Sequence, residues 1–563
     1  MTAFCAIAAR LCYISRGTRG GSVRVLDEAD FVVVGAGSAG CVLAGRLSEE
    51  GGLETLVIEH GGSDAGPFIQ MPAALSYPMN MGRYDWGYRT EPEPALAGRR
   101  LAAPRGKVIG GSSSINGMVY VRGHPGDFER WHRAGAEGWD YAGVLPYFKR
   151  LENAPHGDPR WRGHDGPMHV TRGGQQHVLD QAFMAAAAEA GHLVTPDYNG
   201  ASQEGFGAME RTTWRGRRWS AASAYLRPAL RRNNLRLRRG FVERVVVEAG
   251  RAVGVVVRRG RRVGLIRARR EVILSASAFN SPKLLLLSGI GPADDLAALG
   301  IAVAADRPGV GENLQDHLEV YVQMACRRPV TLNAHLNLLG KARVGARWLL
   351  TRGGPGASNH FESAGFLRSG PASPYPDVQY HFLPAAVRYD GTQPARAHGF
   401  QAHVGPMLPR SRGRVRLRSA DPADPPRIAF GYLSHPDDRA AFRRCLELTR
   451  ALFAQPAFAE FADGELAPGP DCRSPAELDA FVAREAESAY HPCGSCRMGD
   501  AGDEFAVVDP ACRVIGVERL RVVDSSVMPT VTNGNLNAPT LMLAERAADL
   551  IRGRPPLRDA GVA

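Results

Sequence analysis

Cysteine is scarce: nine residues in 563, an odd number at irregular spacings. That excludes a disulfide framework and favours a reducing compartment. Cys493 and Cys496 form the one C-x-x-C, and no second pair completes a zinc set. They are read as buried structural thiols, with a redox dithiol as the alternative, and no metal site is expected. Lysine is scarcer still, with only Lys107, Lys149, Lys283 and Lys341 among 69 basic residues. The arginine skew is what a GC-rich bacterial genome produces. The short basic stretches at 217–218 and 267–270 lack interleaved aromatics, which argues against nucleic acid as a partner. No run reaches the ~18 apolar residues of a membrane span, and no repeat of about 20–50 residues exists to build a solenoid or propeller.

What is present is a globular composition, 44% hydrophobic and 22% charged, able to build a sizeable core. A net charge of +12 leaves peripheral contact with an anionic membrane open. Residues 1–28 hold four arginines ahead of the first acid, Asp27. They read as an N-terminal extension, a start-site artefact or frayed segment, with a transit peptide as the alternative.

The clearest local signal is a β-branched run at 31–34, followed by Gly35, Gly37 and Gly40 in G-x-G-x-x-G spacing and a helical pattern to Leu47. A second strand at 55–58 ends on Glu59, 24 residues after Gly35. Gly35 makes the tight turn, Gly37 admits a pyrophosphate to the backbone and Gly40 lets helix pack on strand. Ser38 and Ala39 open the helix whose N-terminus faces the phosphates, and Glu59 is placed for an adenosine ribose. This predicts a dinucleotide site without separating NAD from FAD.

A glycine- and serine-rich loop at 106–117 offers backbone N–H groups to a flat or anionic ligand. Further on, 241–247 and 253–257 read as a hairpin, 271–275 as a buried strand, and 330–490 as an antiparallel region. Near the end, a strand at 520–523 reaches Asp524, and a helix at 540–551 follows Pro539.

Together these segments resemble the glucose–methanol–choline (GMC) family of FAD-dependent oxidoreductases, over about residues 29–553. The likeness rests on Gly35 to Gly40 with Glu59-His60-Gly61-Gly62, the 106–117 loop, residues 277–291, and His491-Pro492-Cys493-Gly494. It is nearest to the choline-oxidising members, through 71–75, 84–94, 356–362 and 380–384. Departures are His60 where Ala is usual, Ser277 where Gly is usual and Ser495 where Thr is usual. Ile115 stands where some members carry a flavin-bonding histidine, so FAD is expected to be non-covalent.

The resemblance implies an α/β (α+β two-domain) fold. A Rossmann-like FAD-binding domain (29–130, 220–325, 500–553) interleaves with an antiparallel-sheet substrate-binding domain (131–219, 326–499). It implies His491 as catalytic base and Asn537 as its partner. FAD contacts fall on the fingerprint residues with Glu59 and His60, on Gly106, Val108, Gly111, Ser112, Asn116, Gly117, Met118 and Val119, and on Val242, Ala276, Asp524, Ser525, Asn535, Pro539 and Thr540. Glu319 becomes the anchor for a quaternary ammonium, Trp86 and Tyr490 wall that pocket, and His317 and His381 stand near the substrate oxygen. The expected reaction is oxidation of choline to betaine aldehyde and on to glycine betaine, with electrons passed to a respiratory acceptor such as a quinone. A dehydrogenase of other primary alcohols and an FAD-containing lyase are the alternatives. A cytoplasmic location, or peripheral contact with the inner membrane, follows from the same reading.

Overall fold

The computed structural model describes residues 24–387 and 398–559. The readings of the N-terminal extension fall almost wholly outside them, and its last residues already belong to the first strand, Val25–Val34. Val32 and Val33 are fully buried there, because parallel neighbours flank them on both sides, Thr55–Glu59 on one and Arg262–Leu274 on the other. A strand covered this way reads as one continuous apolar run.

Leu235–Arg239 extends this sheet beyond Thr55–Glu59. The 13-residue strand Arg262–Leu274 carries two partners end to end on its other edge. Its first half pairs antiparallel with Arg251–Arg259, which continues the hairpin to Phe241–Glu248, and its last residues pair parallel with Leu520–Val522. The helices Ser38–Leu47 and Asn537–Ile551 pack on one another against the sheet.

The second sheet is antiparallel throughout: Ala462–Ala467, Leu318–Cys326, Gly399–Pro406, Val378–Leu383, Ser363–Leu367 and Gly205–Ala208, with Glu487–Ser488 also pairing Leu318–Cys326. Leu318–Cys326 lies in the stretch that the sequence reading placed with the first sheet, so the chain crosses to the second sheet at Leu318. Period-two alternation divides its faces. Val320, Val322, Tyr380, Phe382, Phe400, Ala402 and Val404 enter one apolar core. Glu319, Tyr321, Gln323, Gln379, His381, Gln401 and His403 fall on the opposite, polar face. Among the described residues no helix is long and apolar enough to cross a membrane.

Candidate functional site

A cleft of about 1650 Å³, open mouth included, runs from the first sheet to Tyr490, His491 and Asn535. At its first-sheet end, Gly35 has φ +101°, and a Cβ there would stand 2.5 Å from the Ser275 carbonyl oxygen. A Cβ on Gly40 would come within 1.9 Å of the Gly35 oxygen, so side chains are excluded at both turn positions. Gly37 is different, since its Cβ would have room and the residue faces the cleft. No side chain caps the helix Ser38–Leu47. Its first N–H groups therefore remain for an anion, beside Ser38 and Ala39 on the cleft wall.

Glu59 accepts the Ala36 N–H at 2.9 Å and the Gly61 N–H at 2.6 Å. Burial raises its carboxyl above the usual range despite these bonds. His60 stacks on Trp86 with ring centroids 5.1 Å apart, and Phe241 closes the stack edge-on. Trp86, expected at the cation pocket, thus stacks on His60 and lines the same cleft as Tyr490. In segment 84–94, Tyr88 enters the apolar core of the second sheet and Trp86 packs against it.

The 106–117 loop wraps over this end as a tight turn, not a linker. A Cβ on Gly111 would lie 2.6 Å from the Gly37 Cα, so the two glycine backbones touch. Gly106, Gly111, Ser112, Asn116, Gly117, Met118 and Val119 line the cleft, with Val242, Ala276, Asp524, Ser525 and Thr540. Gly40, Val108 and Pro539 stand behind its wall: Val108 packs with Ile69, Tyr84 and Ile115, and Pro539 is buried in the last helix's first turn.

Asp524 accepts the Ser277 N–H at 2.9 Å, the Ser281 hydroxyl at 2.6 Å and the Ser526 N–H at 2.8 Å. It is therefore first a clamp on the helix Ser277–Leu287. Ser277 itself has φ +86°, the left-handed region that explains glycine as the usual residue there. Its buried hydroxyl oxygen has no partner within the protein and faces the cleft. The uncapped helix, the open Gly37 and this orphan hydroxyl fit a dinucleotide pyrophosphate and a flat ring.

At the second-sheet end, His491 is buried. Its backbone N–H donates to Asp316 at 2.6 Å, and the same carboxylate holds the His317 N–H and the Ser488 and Tyr432 hydroxyls. Burial still pushes Asp316 up to about 6. The His491 ring is held through both nitrogens, Nδ1 3.1 Å from His317 Nδ1 and Nε2 3.0 Å from Asn535 Nδ2. Desolvation, with His317, His381 and Arg105 nearby, lowers its pKa well below the ordinary imidazole value.

These contacts determine the tautomers. The Met407 carbonyl can only accept, so His317 Nε2, 3.0 Å away, carries the proton. Burial pushes His317 down to about 4, which keeps it neutral. His317 Nδ1 must then accept from His491 Nδ1–H, leaving a bare lone pair on His491 Nε2. The Asn535 amide is oriented by Gln379 Nε2, which donates to its Oδ1 at 3.1 Å, with His381 Nε2 at 3.4 Å.

Asn537, read from the sequence as the partner of His491, is elsewhere: its Oδ1 accepts the Ser38 hydroxyl at 3.0 Å. Asn535 occupies the expected position. Asn537 already belongs to the helix Asn537–Ile551, whose start sits over the fingerprint helix, whereas Asn535 lies in the preceding loop. His317 and His381 lie behind His491 and Asn535 rather than on the cleft surface, while Tyr490 lines it.

Glu319 is buried, with His403 Nδ1 3.1 Å from its Oε1. Burial opposes its charge, but hydrogen bonds from His403 and Tyr321 hold its pKa below the usual carboxylate value. The sequence reading missed Asp316, Gln379, Gln401, His403 and Phe361, whose ring lies 5.4 Å from His403. A polar i, i+2 pattern within apolar strands was the available signal. Cys493 and Cys496 are fully buried thiols, as expected, and no metal-holding cluster occurs among the described residues.

Comparison with known proteins agrees with this geometry. A family model for the N-terminal part of the GMC oxidoreductases matches residues 29–319, and one for the C-terminal part matches 409–544. Proteins of Brucella ovis and Sinorhizobium medicae named oxygen-dependent choline dehydrogenase are 59% identical over 94% of this chain and 96% of theirs. Among solved structures, pyridoxine 4-oxidase from Mesorbium loti is 34% identical with TM-score 0.84, covering 94% of this chain and 100% of its own. A formate oxidase of Aspergillus oryzae RIB40 is 26% identical with TM-score 0.87, covering 95% and 99%. The chain belongs to the GMC oxidoreductase family and is an FAD-dependent oxidoreductase.

Proposed function

We propose that the protein oxidises choline to betaine aldehyde and, in a second turnover, to glycine betaine. One observation carries this: a buried carboxylate, Glu319, shares a sheet face with His381, and His381 touches the Asn535–His491 pair. A neutral alcohol gains nothing from a charge there, whereas a trimethylammonium head does. The choline-oxidising relatives support the same reading.

His491 Nε2, bare and unprotonated at neutral pH, takes the hydroxyl proton. Asn535 Nδ2, released from Nε2 when the hydroxyl arrives, donates to the developing alkoxide. His317 accepts from His491 Nδ1–H and stabilises the imidazolium that forms. FAD, when held by the cleft residues Gly37, Ser38, Ala276 and Ser277, would supply the acceptor for the α-carbon hydride, and Ile115 would offer it no covalent bond.

Anaerobic reduction by choline and by 3,3-dimethylbutanol, its neutral analogue, tests the substrate. Glu319→Gln should raise KM for choline about 30-fold, ~2 kcal/mol, and leave the neutral alcohol unchanged. Equal bleaching by both alcohols in the unaltered protein would point to a general alcohol dehydrogenase, and none by either to a lyase. For reoxidation, where the sequence does not choose between dioxygen and a quinone, the relatives' printed name supports dioxygen; mixing the reduced protein with each acceptor compares the rates.

Peripheral membrane contact has a specific carrier in the helix Leu338–Thr351. Leu338, Leu339, Leu349 and Leu350 are 88%, 72%, 55% and 85% exposed along one stripe, flanked by Arg343 and Arg347. No acid occurs between 320 and 361, so an anionic lipid surface complements the patch better than a second copy of it does. Sedimentation with anionic vesicles at low salt should fall in Leu339→Ser/Leu350→Ser. Unchanged sedimentation would remove this contact.

A further inference from the structure

Glu319 can serve a cation only if its charge is not already cancelled, and the one basic group within 4 Å of it among the described residues is His403. An imidazolium there would form an internal ion pair and leave little net field for a ligand. The hydrogen bonds around the ring decide which form is present. Gln401 is fully buried on the same strand, two residues from His403 and on the same face. Its Oε1 accepts the Val387 backbone N–H at 2.9 Å and Gln323 Nε2 at 2.7 Å. A backbone N–H can only donate, so the amide orientation is determined: oxygen toward Val387, nitrogen toward His403.

Gln401 Nε2 lies 2.6 Å from His403 Nε2. An amide nitrogen donates, so His403 Nε2 must be a bare acceptor. A protonated Nε2 would set two donors against each other in a site without solvent. His403 then carries its single proton on Nδ1 and gives that hydrogen bond to Glu319.

We propose that Gln401 is a specificity-determining positioning residue: by donating to His403 Nε2 it keeps that ring a neutral donor, so that Glu319 is oriented yet presents an uncancelled negative charge to an organic cation. The chain of contacts runs from the Val387 N–H through Gln401 and His403 to Glu319, across the register pairs Gln323–Gln401 and Tyr321–His403. It deepens the reading of Glu319 as the counter-charge for choline and rests on it.

The test is Gln401→Glu in the FAD-loaded protein. A carboxylate at 401 accepts where the amide donated, which draws a second proton onto His403. The new carboxylate and the new proton offset each other, so kcat and both KM values should stay within about threefold in Gln401→Glu, whereas His403→Arg, which puts a fixed positive charge beside Glu319, should raise KM for choline about tenfold and leave KM for 3,3-dimethylbutanol within about twofold. In parallel, 15N NMR of labelled histidines, with His403→Asn to assign the signal, should show one bare and one protonated nitrogen in the unaltered protein and two protonated nitrogens in Gln401→Glu. A doubly protonated His403 in the unaltered protein would overturn the proposal, and that spectrum decides even if Gln401→Glu fails to load FAD. So would a Gln401→Glu protein in which His403 keeps a bare nitrogen, or an unchanged choline-to-dimethylbutanol KM ratio in His403→Arg. Failure of the parent reading looks different: the unaltered protein would show equal KM for the two alcohols whatever the state of His403.

Discussion

Two asparagines two positions apart do different work. Asn535 donates to the lone pair of His491, and Asn537 accepts from Ser38 at the start of the fingerprint helix. Asn535→Ala removes the donor aimed at the developing alkoxide and should lower the rate constant for flavin reduction about 10²–10³-fold, with FAD affinity little changed. Asn537→Ala should do the reverse, weakening FAD binding with the rate of the loaded protein near normal. Stopped-flow reduction combined with FAD titration separates the two. Glu319 and His403 are likewise defined by their partners, since the same glutamate beside an arginine would be a structural ion pair.

Among the elements, the helix Ser277–Leu287 begins under strain. Its first residue has φ +86°, which costs an L-residue with a side chain about 1–2 kcal/mol, and Asp524 holds it there through the Ser277 N–H and the Ser281 hydroxyl. Ser277→Gly removes the penalty and should stabilise the protein by about 1 kcal/mol, visible as a higher Tm. A lower Tm would mean that the serine hydroxyl contributes more than the backbone loses. The polar face of the second sheet shows how regular structure places chemistry: alternation alone brings Glu319, Gln401, His403 and His381 to one side of strands whose other side is core.

Over the whole molecule, the cleft is lined by segments from Val34 to Thr540, so a bound dinucleotide would contact parts of the chain far apart in sequence. Anything that binds only the folded state stabilises it by mass action. Free FAD at 100 times its Kd should add about 2.7 kcal/mol, and thermal melts of stripped protein across an FAD titration should rise accordingly. A Tm independent of FAD would contradict FAD binding in this cleft.

The nucleotide half was legible in the sequence because its determinants are local. Strand, glycine spacing, helix, strand and acid lie within 31–59, and the Gly40–Gly35 contact is made within the βαβ path itself. His491 was legible through its motif. The tertiary structure decided the rest: Trp86 stacks on His60, Asn535 and not Asn537 meets His491, and His403 faces Glu319. The last two depend on residues 44 and 84 positions apart meeting within hydrogen-bonding distance. Asn537 opens the last helix while Asn535 sits in the loop before it, and that change of backbone path sends one asparagine to the base and the other to the phosphate end. Spacing encodes the path of a segment, but the direction of a hydrogen bond exists only once another strand has packed beside it.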